Sequence, residues 1–238
     1  MIQLSPAEPS SPRGAVLLVV AHPDDEVLGC GGTAARLARQ GYTVRSCMLS
    51  GNVAARRHNP GQAELAADTL RAQALLGLGE PILGEFPNIR FNTVAHLELV
   101  QFIEAAIVQT GATTVFTHHP ADLNNDHVHT SLACQAAVRL FQRRADVPAL
   151  QALYFMEVPS STDWTFPNGT AGFQPTVFCP VGETLSDKLA ALAAYRGVMR
   201  PYPHPRSEEA IRALAVMRGA QAGLEYAEAF QCAFRVLD

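Results

Sequence analysis

The chain is short of the features that mark a nucleic-acid-binding, membrane-spanning or disulfide-built protein. Lys and Arg number 18 against 22 Asp and Glu, a formal net charge of −4 over 238 residues. No basic excess is left to follow a phosphate backbone or an anionic bilayer, so neither nucleic acid nor membrane insertion is expected. No apolar run approaches the ~20 residues of a membrane-spanning helix. Residues Met1 to Gly14 are rich in Ser and Pro and lack the apolar core of a signal peptide. They read as a flexible N-terminal arm before a single domain at 15–238, and the protein as cytoplasmic. The five cysteines, Cys30, Cys47, Cys134, Cys179 and Cys232, form no C-x-x-C pair. An odd count at wide spacing suits free thiols in a reducing compartment.

The residues that are present suit a globular domain: 48% hydrophobic and 17% charged, with enough length for a full core. Val16 to Val20 is an unbroken apolar strand. A helix follows from about Asp25 to Gln40, stopped by Gly41. Gly29, Gly31 and Gly32 cost that helix about 1 kcal/mol each relative to Ala, which close packing of helix on sheet would offset. They do not complete G-x-G-x-x-G, so a dinucleotide loop is not indicated. Strands are expected at 43–49, 81–83, 113–117, 152–157 and 176–179. Helices are expected at 62–78 and 93–109, after the stretch ending in Asp126-His127 to about Arg144, and at 182–196 and 206–222, the last opened by Ser207-Glu208-Glu209. Strands alternating with helices predict an α/β fold: a mainly parallel sheet with helices on both faces.

Chemistry concentrates at two strand ends. Ala21-His22-Pro23-Asp24-Asp25-Glu26 follows the first strand, and His118-His119 through Asn124-Asn125-Asp126-His127-Val128-His129 follows the fourth. Carboxylates packed so closely at a buried strand end are costly unless a cation pairs with them. His22, a carboxylate from Asp24 or Asp25, and one His of the second stretch would supply the N and O donors of a catalytic zinc. His127 and His129 diverge by about 200° on a helix, so only one can face a given ion. Asp126 suits either an N-cap or a partner that orients a ligating His. Arg56, Arg57 and His58 could meet an anionic group, and Trp164, Phe166 and Phe173 could stack on a sugar. Asn168-Gly169-Thr170 fits a glycosylation pattern without a secretory context.

These motifs carry a resemblance. Ala21–Glu26 with Val27-Leu28-Gly29-Cys30-Gly31-Gly32-Thr33, then Asp126-His127-Val128-His129, then Pro205-Arg206-Ser207 through Arg218-Gly219 to Ala227-Glu228-Ala229-Phe230, together resemble the PIG-L (LmbE-like) family of zinc-dependent N-deacetylases. The resemblance implies a three-layer Rossmann-like fold. It implies Zn2+, or another divalent metal, held by His22, Asp25 and His127, with Asp24 as general base. The substrate would be an N-acetylated amino sugar such as N-acetylglucosamine, or a glycoconjugate of one. Many relatives carry a His where this chain has Asn124. Asn donates a hydrogen bond but does not titrate, so the second catalytic group is open among Asn124, His129, His118, His119 and His204. Glu26 is expected to shape the loop rather than react. Alternatives are an amidase for another amide, such as a thiol conjugate, and a non-enzymatic metal- or nucleotide-binding module. The oligomeric state, a homo-oligomer included, is open.

Overall fold

The computed structural model describes residues 13–52, 61–167 and 172–237. Most of the N-terminal arm, the Arg56–His58 segment and the Asn168–Thr170 triplet lie outside them. The strands are β1 (Ala15–Val20), β2 (Thr43–Met48), β3 (Ile82–Leu83), β4 (Thr114–His118), β5 (Ala152–Met156), β6 (Val177–Pro180) and β7 (Ala227–Arg235). The helices are α1 (Asp25–Arg39), α2 (Gln62–Leu76), α3 (His96–Thr110), α4 (Asn125–Ala137), α5 (Leu185–Ala194) and α6 (Glu208–Ala222).

The strands form one sheet in the order β3-β2-β1-β4-β5-β7-β6. β1 to β5 run parallel to one another, and β7 is antiparallel to both β5 and β6. Alternation along β1 shows why both faces are covered. Val16, Leu18 and Val20 enter a core with side chains of α1, α2, α5 and α6, and Leu17, Val19 and Ala21 enter another with α3 and α4. Successive side chains of a strand point to opposite faces, so an all-apolar strand needs helices on both.

Two expectations change. The helix after β4 ends at Ala137, not near Arg144. The chain then folds inward, burying Val138, Leu140, Val147 and Leu150 on the way to β5. No strand was expected at 227–235, yet β7 lies inside the sheet. Its first four residues, Ala227 to Phe230, are all buried, Glu228 included. A buried carboxylate in a strand covered on both faces erases the alternation by which half-exposed strands are recognised.

The glycines of α1 pack closely, as expected. A methyl group at Gly29 would lie 2.5 Å from Met156 Sδ in β5, and one at Gly32 would lie 2.9 Å from Val181. β1 lies between β2 and β4. The chain leaves β1 for β2 on one side and returns to β4 on the other. The carboxyl ends of β1 and β4 thus flank the point where strand order reverses, and open α/β sheets bind ligands in the crevice there.

Candidate active site

Ala21, just past β1, donates its N–H to His118 Nε2 at the end of β4, 2.9 Å away, which ties the two strand ends together. His22 to Asp25 then form a tight turn in which the Asp25 N–H donates to the His22 carbonyl at 3.3 Å. The Asp24 carbonyl accepts the Val27 and Leu28 N–H groups and starts α1. Asp25 folds back, and its Oδ2 accepts the His22 N–H at 3.0 Å.

The same Asp25 oxygen lies 3.3 Å from His22 Nδ1 and 3.2 Å from His127 Nε2. His22, Asp25 and His127 are all buried, with their donor atoms within 4.8 Å of one another. Each imidazole is held from behind by a carboxylate. His22 Nε2 lies 2.9 Å from Asp126 Oδ2, and Asp126 also accepts the N–H groups of Ile89 at 2.6 Å and Phe91 at 3.0 Å. His127 Nδ1 lies 3.2 Å from Asp122 Oδ1. Asp122 in turn accepts hydroxyl protons from Ser161, in a short contact, and from Thr162 at 2.6 Å. A carboxylate on one ring nitrogen fixes the tautomer and turns the other lone pair forward. His22 therefore presents Nδ1, and His127 presents Nε2, to Asp25.

Electrostatics follow from this packing. Burial alone would raise the Asp25 pKa, but His127, His22 and His118 hold it well below the carboxylate range. Burial would lower His127, yet Asp25 and Asp122 outweigh it and push its pKa up to about 10. His22 rises for the same reason, through Asp126 and Asp25 against the cost of burial. Burial, together with the charge of His127, takes His118 down to about 3. The cluster draws positive charge between Asp25 and its histidines, the place a divalent cation would fill.

These groups open onto a cavity of about 200 Å³, lined by His22, Asp24, Asp25, Asn88, Ile89, Asn124, His127 and Arg206. Asp24 is 1% exposed, and Arg206 Nη1 lies 3.4 Å from its Oδ2. Arg206 is braced by the Ser160 hydroxyl at 2.7 Å and the Pro159 carbonyl at 3.3 Å.

Asn124 Oδ1 accepts the Asp126 N–H at 2.9 Å and caps α4. The N-cap is thus Asn124, and Asp126 instead serves His22. Asn124 lines the cavity, and among the described residues nothing accepts from its Nδ2. His129 is partly buried on α4 and does not line the cavity, as its angular offset from His127 requires. His118 is stacked on His127, ring centres 3.8 Å apart. His119 is bonded to Gln231 at 3.1 Å, and His204 accepts the Arg206 N–H at 3.0 Å. None of these three lines the cavity.

Sequence reading assigned no role to Arg206, Asp122 or Ser161. Arg206 stood only within a motif block, and nothing local ties it to Asp24, 182 positions away.

The family model described as PIG-L, GlcNAc-PI de-N-acetylase, matches residues 17–138. The chain belongs to the PIG-L family. The matched span runs from β1 to the end of α4 and contains both strand-end clusters. An Escherichia coli (strain K12) protein named uncharacterized deacetylase YaiS is 29% identical over 194 residues, 77% of this chain and 91% of that one. The N,N'-diacetylchitobiose deacetylase of Pyrococcus horikoshii shares the fold at TM-score 0.72 and 18% identity, over 92% of this chain and 83% of that one. GalB, the 4-carboxy-2-hydroxymuconate hydratase of Pseudomonas putida KT2440, shares it at TM-score 0.73 and 22% identity, over 94% and 98%. One fold thus carries more than one reaction, and the residues of the site must argue the chemistry.

Proposed function

We propose that this protein is a metal-dependent N-deacetylase acting on an N-acetylated amino sugar or its glycoconjugate. The observation that carries the reading is the convergence of His22 Nδ1, Asp25 Oδ2 and His127 Nε2 on a cavity whose wall also holds the Asp24 carboxylate. Two imidazole nitrogens and one carboxylate oxygen, all buried and braced from behind, fit the donor set of a catalytic zinc. Iron(II) or cobalt(II) takes similar donors. His22, Asp25 and His127 would hold the ion. When bound, it supplies Lewis acidity toward the amide carbonyl and lowers the pKa of a coordinated water.

The chain's own residues do the rest. Asp24 accepts the proton of the attacking water as its oxygen adds to the acetyl carbon. Asn124 Nδ2 donates toward the oxygen on which negative charge develops. Asp24 then returns the proton to the nitrogen as the C–N bond breaks, so that acetate and a free amine leave. Among the described residues that line the cavity Ile89 is the apolar one, suited to a methyl group. The hydratase chemistry of GalB acts on an acid. Among the described residues Arg206 is the one Lys or Arg lining this cavity, and it already faces Asp24, which favours the neutral amide.

The test is acetate release from N-acetylglucosamine glycosides and from thiol-conjugate amides, with metal content measured in parallel. Asp24→Asn keeps shape but cannot take the proton, so it should retain metal while kcat falls by about 10²–10⁴. Asp25→Ala should lose metal. Asp24→Asn with full activity would remove Asp24 as the base. Loss of metal in Asp24→Asn with retention in Asp25→Ala would exchange the two roles.

A further inference from the structure

The turn that brings Asp24 to the cavity has Pro23 at its second position and Asp24 at its third, with φ 102° and ψ −27° at Asp24. With the Asp25 N–H bonded to the His22 carbonyl, this is a type II turn, whose third position belongs by preference to glycine. An L-residue there is strained, and such strain persists only where the surroundings enforce it. In return, the turn carries a carboxylate where glycine would carry none.

Glu26 supplies the enforcement. Its Oε2 accepts the Asp24 N–H at 2.9 Å. Its Oε1 accepts the Tyr195 hydroxyl at 2.6 Å and a Gln73 Nε2–H at 3.1 Å. Gln73 is itself oriented, because its Oε1 accepts the Ser46 hydroxyl at 3.0 Å. Glu26, Tyr195, Gln73 and Ser46 are all buried, and none lines the cavity. The chain of contacts runs from β2 through α2 and the end of α5 to one backbone N–H. A carboxylate so oriented, without access to substrate, acts through what it holds.

We propose that Glu26, aimed by Tyr195 and Gln73, is a positioning residue that holds the Asp24 backbone in its left-handed conformation. The Asp24 carboxylate thereby faces the cavity while Asp25 faces His22 and His127. The catalytic half of this inference rests on the reading of Asp24 as base; the conformational half does not.

Two measurements test it. Thermal melts of metal-loaded Asp24→Gly and Asp24→Ala compare two variants that both lose the carboxylate and its Arg206 contact. Only glycine relieves the strain, so Asp24→Gly should melt at least about 2 °C above Asp24→Ala. Glu26→Leu, which removes the acceptor, should lower the melting temperature less in the Asp24→Gly background than in the Asp24→Ala background. Kinetics of acetate release from methyl N-acetylglucosaminide form the second arm. Tyr195→Phe keeps the ring but not the hydroxyl that aims Glu26; kcat should fall roughly tenfold, with KM and metal content within about twofold. Glu26→Gln, which still offers an oxygen to the Asp24 N–H, should retain more activity than Glu26→Leu.

Equal melting of the Gly and Ala variants would overturn the conformational half. Wild-type kcat in Tyr195→Phe would overturn the catalytic half, and so would loss of metal in step with activity. If Glu26→Leu does not fold, Tyr195→Phe and the Asp24 pair decide. Should Asp24→Asn prove fully active, the general-base reading fails, and the melting comparison still stands or falls alone.

Discussion

Two carboxylate–imidazole pairs, Asp126 with His22 and Asp122 with His127, decide which ring nitrogens face Asp25. Removing either carboxylate's charge frees a ring to turn. Asp122→Asn should therefore weaken zinc affinity by about 10–100-fold, measured by competition with a chromogenic chelator; unchanged affinity would mean that Asp122 plays no part in orienting His127. A second expectation concerns the thiols. Cys30, Cys47 and Cys134 are buried, Cys179 is partly covered and Cys232 is exposed. Burial raises the Cys134 pKa to about 12, that of Cys47 higher still, and that of Cys30 well above the ordinary thiol range. The thiolate is the reactive form. Native protein at pH 8 should thus label first at Cys232, with the buried three reacting only on unfolding, as read by mass spectrometry of the labelled sites. At this scale His22, the Asp24-Asp25 pair and the histidines of the second stretch stood out in sequence because such residue types are unusual at a strand end, and the family resemblance singled out Asp25 and His127 among them. Asp122 and Ser161 did not, because Asp and Ser in a loop carry no signal until a partner far along the chain reaches them.

Among elements, β7 is the one that periodicity concealed, and Glu228 explains both the concealment and the strand's place. Its carboxylate accepts the N–H groups of Gly32 at 2.9 Å and Thr33 at 2.7 Å, and pairs with Lys188 Nζ at 2.7 Å. Lys188 also donates to the Leu28 carbonyl at 2.8 Å. One buried ion pair thus joins α1, α5 and β7, and the glycines of α1 let the strands and α5 approach closely enough for it to form. Lys188→Met would leave the Glu228 carboxylate buried without its cation. The expected cost is about 3–5 kcal/mol of stability, read as a lower denaturation midpoint; a cost under about 1 kcal/mol would show that the backbone donors suffice. β1 and β4 were legible because strands covered on both faces read as apolar runs. The end of α4 was not, because inward packing of residues 138–150, rather than any local stop signal, turns the chain there.

For the whole molecule, the decisive fact is that β1 and β4 are neighbours in the sheet. Their parallel register carries His22 and His127, 105 positions apart in sequence, to one carboxyl edge. A metal held by both would cross-link the two halves of the sheet and stabilise the folded state by linkage. At a free zinc concentration of about 100 Kd the gain is roughly 2.7 kcal/mol, or about 5–10 °C for a chain of this size. Protein stripped with a chelator should melt lower by that order and recover on adding zinc, followed by scanning fluorimetry; an unchanged melting temperature would argue against these ligands. Among the described residues no helix is long and apolar enough to cross a membrane, in keeping with the lack of long apolar runs. The sequence by itself determined the α/β alternation, the apolar inner strands and the two chemical clusters, because periodicity and residue type are local properties. Only the tertiary structure decided that β7 enters antiparallel, that Arg206 faces Asp24, and that Glu26 reaches back to the Asp24 N–H. Each of those depends on contacts between distant segments, whose energies no short stretch of chain contains.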